Sequence, residues 1–308
     1  MWDDYQKTIK ESVNFSGTGL HSGAKAKVKL LPADSNGGII FKRIDLTGDN
    51  EILADYKNVC SAKLCTKIEN SSGVSVSTIE HLMAAFYICG IDNLLVEIDG
   101  PEVPIMDGSS LDFVEIIKKS GLKTLNKKRK FIKIIKEISF KDEGKSISIA
   151  PDNFTFNVKF TLSYQNSLIK NQTNSINLSR DNLEDIYSAR TFCLYEDVEK
   201  IKSSGLAKGG SLENAIVVDK DKVLNEGGLR SKKEFVNHKI LDLLGDFMLA
   251  GNRLIGSVDC FHGGHSLTNI FLRRVLSNKE NYVFVEGDRS LKIKRDTSNY
   301  QKRLAVNA

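Results

Sequence analysis

The chain holds five histidines, His21, His81, His238, His262 and His265, so any imidazole metal site draws on few candidates. The segment His238-Lys-Ile-Leu-Asp-Leu-Leu-Gly-Asp246 spaces His238, Asp242 and Asp246 four residues apart, within about 80° of one helix face at about 100° per residue. Lys239 extends this polar stripe, while Ile240, Leu241, Leu243, Leu244, Phe247 and Met248 fill the other faces. An otherwise buried helix therefore turns one polar stripe toward a partner. A histidine and a carboxylate one turn apart can share a metal ion, because i and i+4 side chains project side by side. A plain ion pair with a satisfied core histidine explains the same spacing.

Glu80-His81 opens a second predicted helix. Glu80 follows Ser77 by three residues, the place of a capping-box glutamate, and that structural role accounts for it. The chemical reading needs His81 to join His238 and Asp242 around a zinc ion with one position open to water, and Glu80 to take that water's proton. In Phe261-His-Gly-Gly-His265, two glycines let backbone approach a ligand closely between a predicted strand and a helix start, with His265 at the loop tip. His265 reads either as a capping or surface histidine or as a general acid for a leaving amine, its ring held by Asp246.

These residues need elements to carry them. Lys25 to Leu31 alternates, Asn36-Gly37 marks a turn, and Ile39 to Ile44 follows as a hairpin partner. Ser77 to Glu80 caps a short buried helix that ends at Gly90. Leu94 to Ile98 is a strand, Gly100 to Pro104 a rigid loop, and Asp107 to Ser110 the cap of a helix running to about Lys119. Gly121 to Lys130 is polar and basic without an apolar period, which predicts a domain boundary.

Beyond it, Phe131 to Ile135, Ser146 to Ile149 and the alternating Phe154, Phe156, Val158, Phe160 and Leu162 predict strands. A helix over Leu183 to Ala189 follows. Ser231-Lys-Lys-Glu234 repeats the capping box before a long helix reaching Ala250 and Gly251, then a strand near Leu254 to Val258 and a helix from about Ser266 to Leu276. The second half echoes the first, with Thr191 to Gly228 as an insertion. The order predicts an α+β chain of two halves, residues 1–126 and 127–308.

At 308 residues the length suits two domains, and 41% hydrophobic with 27% charged residues is an ordinary globular composition. The net charge of +5 is spread along the chain. It permits an anionic substrate, and no recognised binding motif points to nucleic acid. Cys60, Cys65, Cys89, Cys193 and Cys260 are odd in number and form no C-x-x-C pair, which argues against a disulfide framework and for a reducing compartment. The N-terminus lacks the apolar core of a secretory signal, and no stretch approaches the ~18 apolar residues of a membrane span. A cytoplasmic protein is expected, with peripheral contact at a membrane surface left open.

Six segments in order, GTGLHSG (Gly17 to Gly23), STIEHLMAA (Ser77 to Ala85), GIDNLLVEIDGPEVPIMDGSS (Gly90 to Ser110), ARTF (Ala189 to Phe192), HKILDLLGD (His238 to Asp246) and GGHSLTN (Gly263 to Asn269), carry a family resemblance. Over nearly its whole length the chain resembles the UDP-3-O-acyl-N-acetylglucosamine deacetylases of Gram-negative bacteria. The resemblance implies two similar α/β sandwich halves, each with helices layered against a sheet, and one catalytic Zn2+ at their interface held by His81, His238 and Asp242. It implies Glu80 as general base, His265 as cationic acid supported by Asp246, Thr191 as an oxyanion-stabilising residue, and Lys239 in the same catalytic and substrate-contacting group.

The insertion would form an apolar passage for an acyl chain, which suits Leu206, Ala207, Ala215 and Ile216. Leu20, Leu64, Cys65, Phe192 and Gly210 would also contact substrate. The implied reaction hydrolyses the N-acetyl group of UDP-3-O-acyl-N-acetylglucosamine in the committed step of lipid A biosynthesis, carried out by a monomer. Another metal hydrolase of amides would share the chemistry and differ only in its pocket. One departure stands out: the family shows an aromatic followed by His-Pro after the alternating strand, where this chain has Tyr164-Gln-Asn-Ser167. Tyr164 keeps an aromatic face for uracil.

Overall fold

The computed structural model describes residues 4–287, so the end of the half predicted to run to residue 308 lies outside the described residues. The fold is α+β. Six helices occur among the described residues: α1 (Glu80–Cys89), α2 (Leu111–Ser120), α3 (Glu184–Tyr187), α4 (Tyr195–Ser203), α5 (Glu234–Met248) and α6 (His265–Ser277).

A five-stranded sheet runs Val13–Thr18, Lys25–Pro32, Leu94–Ile98, Ile39–Arg43, Glu51–Leu53. The apolar strand Leu94–Ile98 lies antiparallel to one neighbour and parallel to the other, with Val96 opposite both Leu30 and Phe41. The expected hairpin between Lys25 to Leu31 and Ile39 to Ile44 is therefore absent. The turn at Asn36 exists, with φ 68°, but Leu94–Ile98 has inserted between its arms. A strand buried on both sides of its ladder offers more apolar surface than direct pairing of the two arms.

The second sheet has seven strands centred on Arg253–Phe261, which pairs parallel with Lys130–Ile134 and Phe156–Ser163 and antiparallel with Lys145–Ala150. Along Phe156–Ser163 the predicted alternation is observed: Phe156, Val158, Phe160 and Leu162 are buried, and Asn157, Lys159 and Thr161 face outward; Phe154, predicted as its first apolar position, is exposed, because pairing with Arg253–Phe261 begins only at Phe156. Phe156, Phe235, Phe247 and Phe271 belong to one apolar core, while Phe41, Phe86, Val96 and Phe113 belong to another.

Gly121 to Lys130, read from the sequence as a domain boundary, carries regular structure. Leu122–Lys128 forms a strand antiparallel to Tyr5–Ile9, and its side chains are exposed on both faces, so no apolar period marks it. Residues 191–228, predicted as an insertion, hold a three-stranded sheet in which Phe192–Leu194 and Ile216–Asp219, joined through α4, run parallel. None of the described helices is long and apolar enough to cross a membrane.

Neither predicted capping box forms. α1 and α5 begin without a side-chain cap, at Ile79 and Lys233, because Glu80 and Glu234 are buried and bonded elsewhere. Asp107 to Ser110 caps α2 only through Ser109 Oγ, which accepts from Leu111 N at 3.1 Å, while Ser110 Oγ donates to the His81 carbonyl at 2.7 Å. The far end of α1 turns at Gly90, whose φ of 80° suits a residue without a side chain. Two buried arginines complete it: Arg253 Nη1 donates to the Tyr87 carbonyl at 2.7 Å and Arg129 Nη2 to the Gly90 carbonyl at 2.8 Å. Cations at a helix C-terminus meet its partial negative charge, and Asp92 pairs with Arg129 at 2.7 Å.

Candidate active site

The crossing of α1 and α5 assembles the site. Gly245 faces α1 so closely that a Cβ there would lie 2.1 Å from the Glu80 carbonyl oxygen. This approach sets Glu80 and His81 against His238, Asp242 and Asp246. His81 Nε2 lies 3.5 Å and His238 Nε2 3.2 Å from Asp242 Oδ1, and one ligand atom from each residue falls within 4.8 Å of the other two.

His238 Nδ1 is 3.0 Å from the Ala189 carbonyl oxygen. A carbonyl only accepts, so Nδ1 carries the proton and Nε2 presents its lone pair to the cluster. Burial pushes this imidazole down to about 3, against the pull of Asp242. Burial opposes the charge of Asp242 too, but His238 and Lys239 outweigh it and hold the carboxyl well below the usual range. Asp242 Oδ1 is buried without a hydrogen-bond partner. A desolvated carboxylate oxygen between two imidazole nitrogens is a donor set that a divalent cation satisfies, and it fits zinc.

His265 lies next to this group as the first residue of α6, rather than on the predicted loop tip. Its Nδ1 is 2.9 Å from Asp246 Oδ2, and its Nε2 is 3.8 Å from Glu80 Oε1 and 3.9 Å from Asp242 Oδ2. Burial works against the ring's charge, yet Asp246, Asp242 and Glu80 together raise it to about 10. Glu80 moves upward because burial outweighs the attraction of His265 and His81. Carboxylate and imidazolium thus face each other in a buried site.

Thr66, which carries no motif, joins these two groups. Its backbone N–H donates to Glu80 Oε2 at 3.0 Å and its hydroxyl to Asp246 Oδ1 at 2.7 Å. Lys239 Nζ lies 2.9 Å from Asp242 Oδ2 and 5.4 Å from the centre of the Phe192 ring. Tyr164 packs edge-on between Phe192 and His262, with ring centres 5.9 and 5.5 Å away.

An apolar cavity of about 340 Å3 opens beside the cluster, lined by Leu20, Leu64, Thr191, Phe192, Ala207, Gly210 and Ala215 together with Val198 and Ile201 of α4. Leu206, Ile216, Cys65, Tyr164 and Lys239 are outside that lining, and Ile216 belongs to the core instead. Cys65 sits near Glu80, and burial pushes its thiol up to about 12. His21 also lines the cavity, with both ring nitrogens buried and without hydrogen-bond partners; the sequence shows it within GTGLHSG but no spacing gives it a role.

Convergent metal-type ligands, a buried carboxylate of raised pKa and an imidazolium steadied by a second carboxylate suit a hydrolase that splits an acyl bond by paired base and acid. The chain matches the family described as LpxC, UDP-3-O-acyl N-acetylglycosamine deacetylase, over residues 6–277. It is 44% identical over 283 residues to the UDP-3-O-acyl-N-acetylglucosamine deacetylase of Geotalea uraniireducens (strain Rf4), an alignment covering 92% of each chain. The enzyme of that name from Haemophilus ducreyi is 41% identical over 286 residues, covering 92% of this chain and 94% of the relative. The chain belongs to the UDP-3-O-acyl-N-acetylglucosamine deacetylase family.

Proposed function

We propose that the chain is a zinc-dependent deacetylase that hydrolyses UDP-3-O-acyl-N-acetylglucosamine to the free amine and acetate, as a cytoplasmic monomer acting in lipid A biosynthesis. The observation that carries this reading is continuity: Thr191 and Phe192 line the apolar cavity while Phe192 packs edge-on to the ring of His238. An apolar chain and an acetamide on one molecule can occupy the cavity and the cluster together.

His81, His238 and Asp242 would hold one zinc ion, which polarises an amide carbonyl and acidifies a water at neutral pH. Glu80, with Oε2 held by Thr66 and a raised pKa, takes a proton from the attacking water. His265 donates from Nε2 to the amine nitrogen as the C–N bond breaks, while Asp246 keeps Nδ1 oriented. The water supplies hydroxyl to acetate and hydrogen to the amine. Thr191 and the Lys239 ammonium would stabilise the negative charge that develops on the acetamide oxygen.

Leu20, Leu64, Gly210 and Ala215 would enclose the acyl chain, Cys65 would border it, and Tyr164 would stack on uracil. Residues 1–126 and 127–308 would act as two sandwich halves meeting at the site, with nucleic acid no partner and any membrane contact peripheral. The test is metal content together with deacetylation of acylated and unacylated UDP-N-acetylglucosamine, before and after chelation and zinc restoration. About one metal per chain and an acyl-dependent rate that zinc restores are expected. Full activity after complete metal removal, or equal rates on both substrates, overturns the reading.

A further inference from the structure

Glu234, His238, Asp242 and Asp246 mark α5 at every fourth position, and all four are buried. The last three belong to the group described above; Glu234 does not, although it is completely buried and a carboxylate there requires compensation. Arg190 provides it. Glu234 Oε1 accepts from Arg190 Nε at 2.8 Å and from the Arg190 backbone N–H at 3.2 Å. Oε2 accepts from Arg190 Nη2 at 3.3 Å and from the backbone N–H of Arg230 at 2.5 Å. Arg190 Nη2 also donates to the Gly228 carbonyl at 2.7 Å. Glu234 and Arg190 together therefore gather both ends of the insertion, Arg190 just before it, Gly228 at its end and Arg230 just beyond.

The same strip reaches the ligand group one turn further along α5. Ala189 accepts from His238 Nδ1, and Thr191, two residues on, lines the cavity. Three consecutive residues thus bind in turn a proposed zinc ligand, Glu234 and the apolar chamber. A planar guanidinium holds a carboxylate and a carbonyl in fixed relative positions, which an ammonium does not. Stability alone is a weak reason for such a pair, because apolar residues of similar volume often stabilise a fold as well as a buried ion pair does.

We infer that Glu234 and Arg190 are positioning residues that couple the acyl-binding chamber to His238, so that one buried pair sets metal affinity and selectivity for the acylated substrate together. The inference rests on the function proposed above. It is tested with the double variant Arg190→Met/Glu234→Met, which leaves no buried charge unpaired, and with Arg190→Lys. Zinc affinity is measured by competition with a chromophoric chelator, fold by thermal unfolding, and kcat and KM on acylated and unacylated UDP-N-acetylglucosamine.

The double variant is expected to unfold near the wild-type temperature and to bind zinc about 10- to 100-fold more weakly, the usual effect of disturbing a ligand's outer partners. Its preference for the acylated substrate is expected to shrink about tenfold, and Arg190→Lys to recover part of both losses. Wild-type zinc affinity with wild-type acyl preference overturns the inference, and weaker zinc binding with unchanged preference overturns the coupling. Should the double variant not fold, the near-isosteric Glu234→Gln decides by the same readouts. Failure of the proposed function shows separately, as a wild-type protein that turns over neither substrate while zinc competition still reports on the pair.

Discussion

Replacing Gly245 by alanine sets two effects of opposite sign against each other. In a helix interior alanine is favoured over glycine by about 1 kcal/mol, so helix propensity alone predicts a more stable protein. The new Cβ, however, would lie 2.1 Å from the Glu80 carbonyl oxygen, 2.9 Å from its carbon and 3.2 Å from its Cα, where Cβ contacts below 3.0 Å are essentially never found. The obstacle is backbone of α1, so no side chain can swing aside. Relief requires α1 and α5 to separate by about 1 Å, and overpacking of this kind costs about 1–3 kcal/mol. The same displacement moves Glu80 and His81 away from His238 and Asp242, and a misplacement of about 1 Å lowers catalysis roughly 100-fold. Steady-state kcat/KM, zinc competition and thermal unfolding on Gly245→Ala read all three. A variant with raised melting temperature and kcat/KM within about twofold of wild type would refute the view that this crossing sets the site.

Glu80→Ala is expected to retain zinc and lose about 100- to 10,000-fold in kcat, the range for a general base, whereas His238→Ala is expected to lose the metal in the same content assay. Equal metal loss in both would remove the distinction between base and ligand. Thr66→Val deletes the 2.7 Å bond to Asp246 but keeps the backbone donor to Glu80; kcat is expected to fall about tenfold with zinc affinity unchanged, and an unaltered kcat counts against Thr66. Arg253→Met leaves the Tyr87 carbonyl without its 2.7 Å donor and should lower stability by about 3–5 kcal/mol in denaturant unfolding; a loss below about 1 kcal/mol would mean that Arg129 alone can close the end of α1.

The elements nearest the chemistry were the most legible. His238 and Asp242 stand one helical turn apart, a local relation that spacing reports directly, and the alternation from Phe156 to Leu162 is equally local. What escaped depends on distant segments. Leu94–Ile98 separates two strands that their own turn would have joined. Glu80 matches a capping box, yet Thr66 N draws its side chain into the site, so a local rule yields to a distant partner. Leu122–Lys128 lacks a period because neither face is covered. Thr66 and Glu234 acquire their roles only when residues distant in the chain arrive beside them, and no spacing encodes that arrival.

The crossing of α1 over α5 also has a consequence for the history of the chain. Thr66 and Asp246, bonded beside it, are separated by 180 positions, so the site cannot exist until a long intervening stretch has closed, an entropic cost that slows folding. A cation held by His81, His238 and Asp242 would bind the finished crossing and not the open chain, adding about 4 kcal/mol at a thousandfold excess over its Kd. Metal supply would then govern how long each newly made copy survives proteolysis, before it governs how fast that copy turns over.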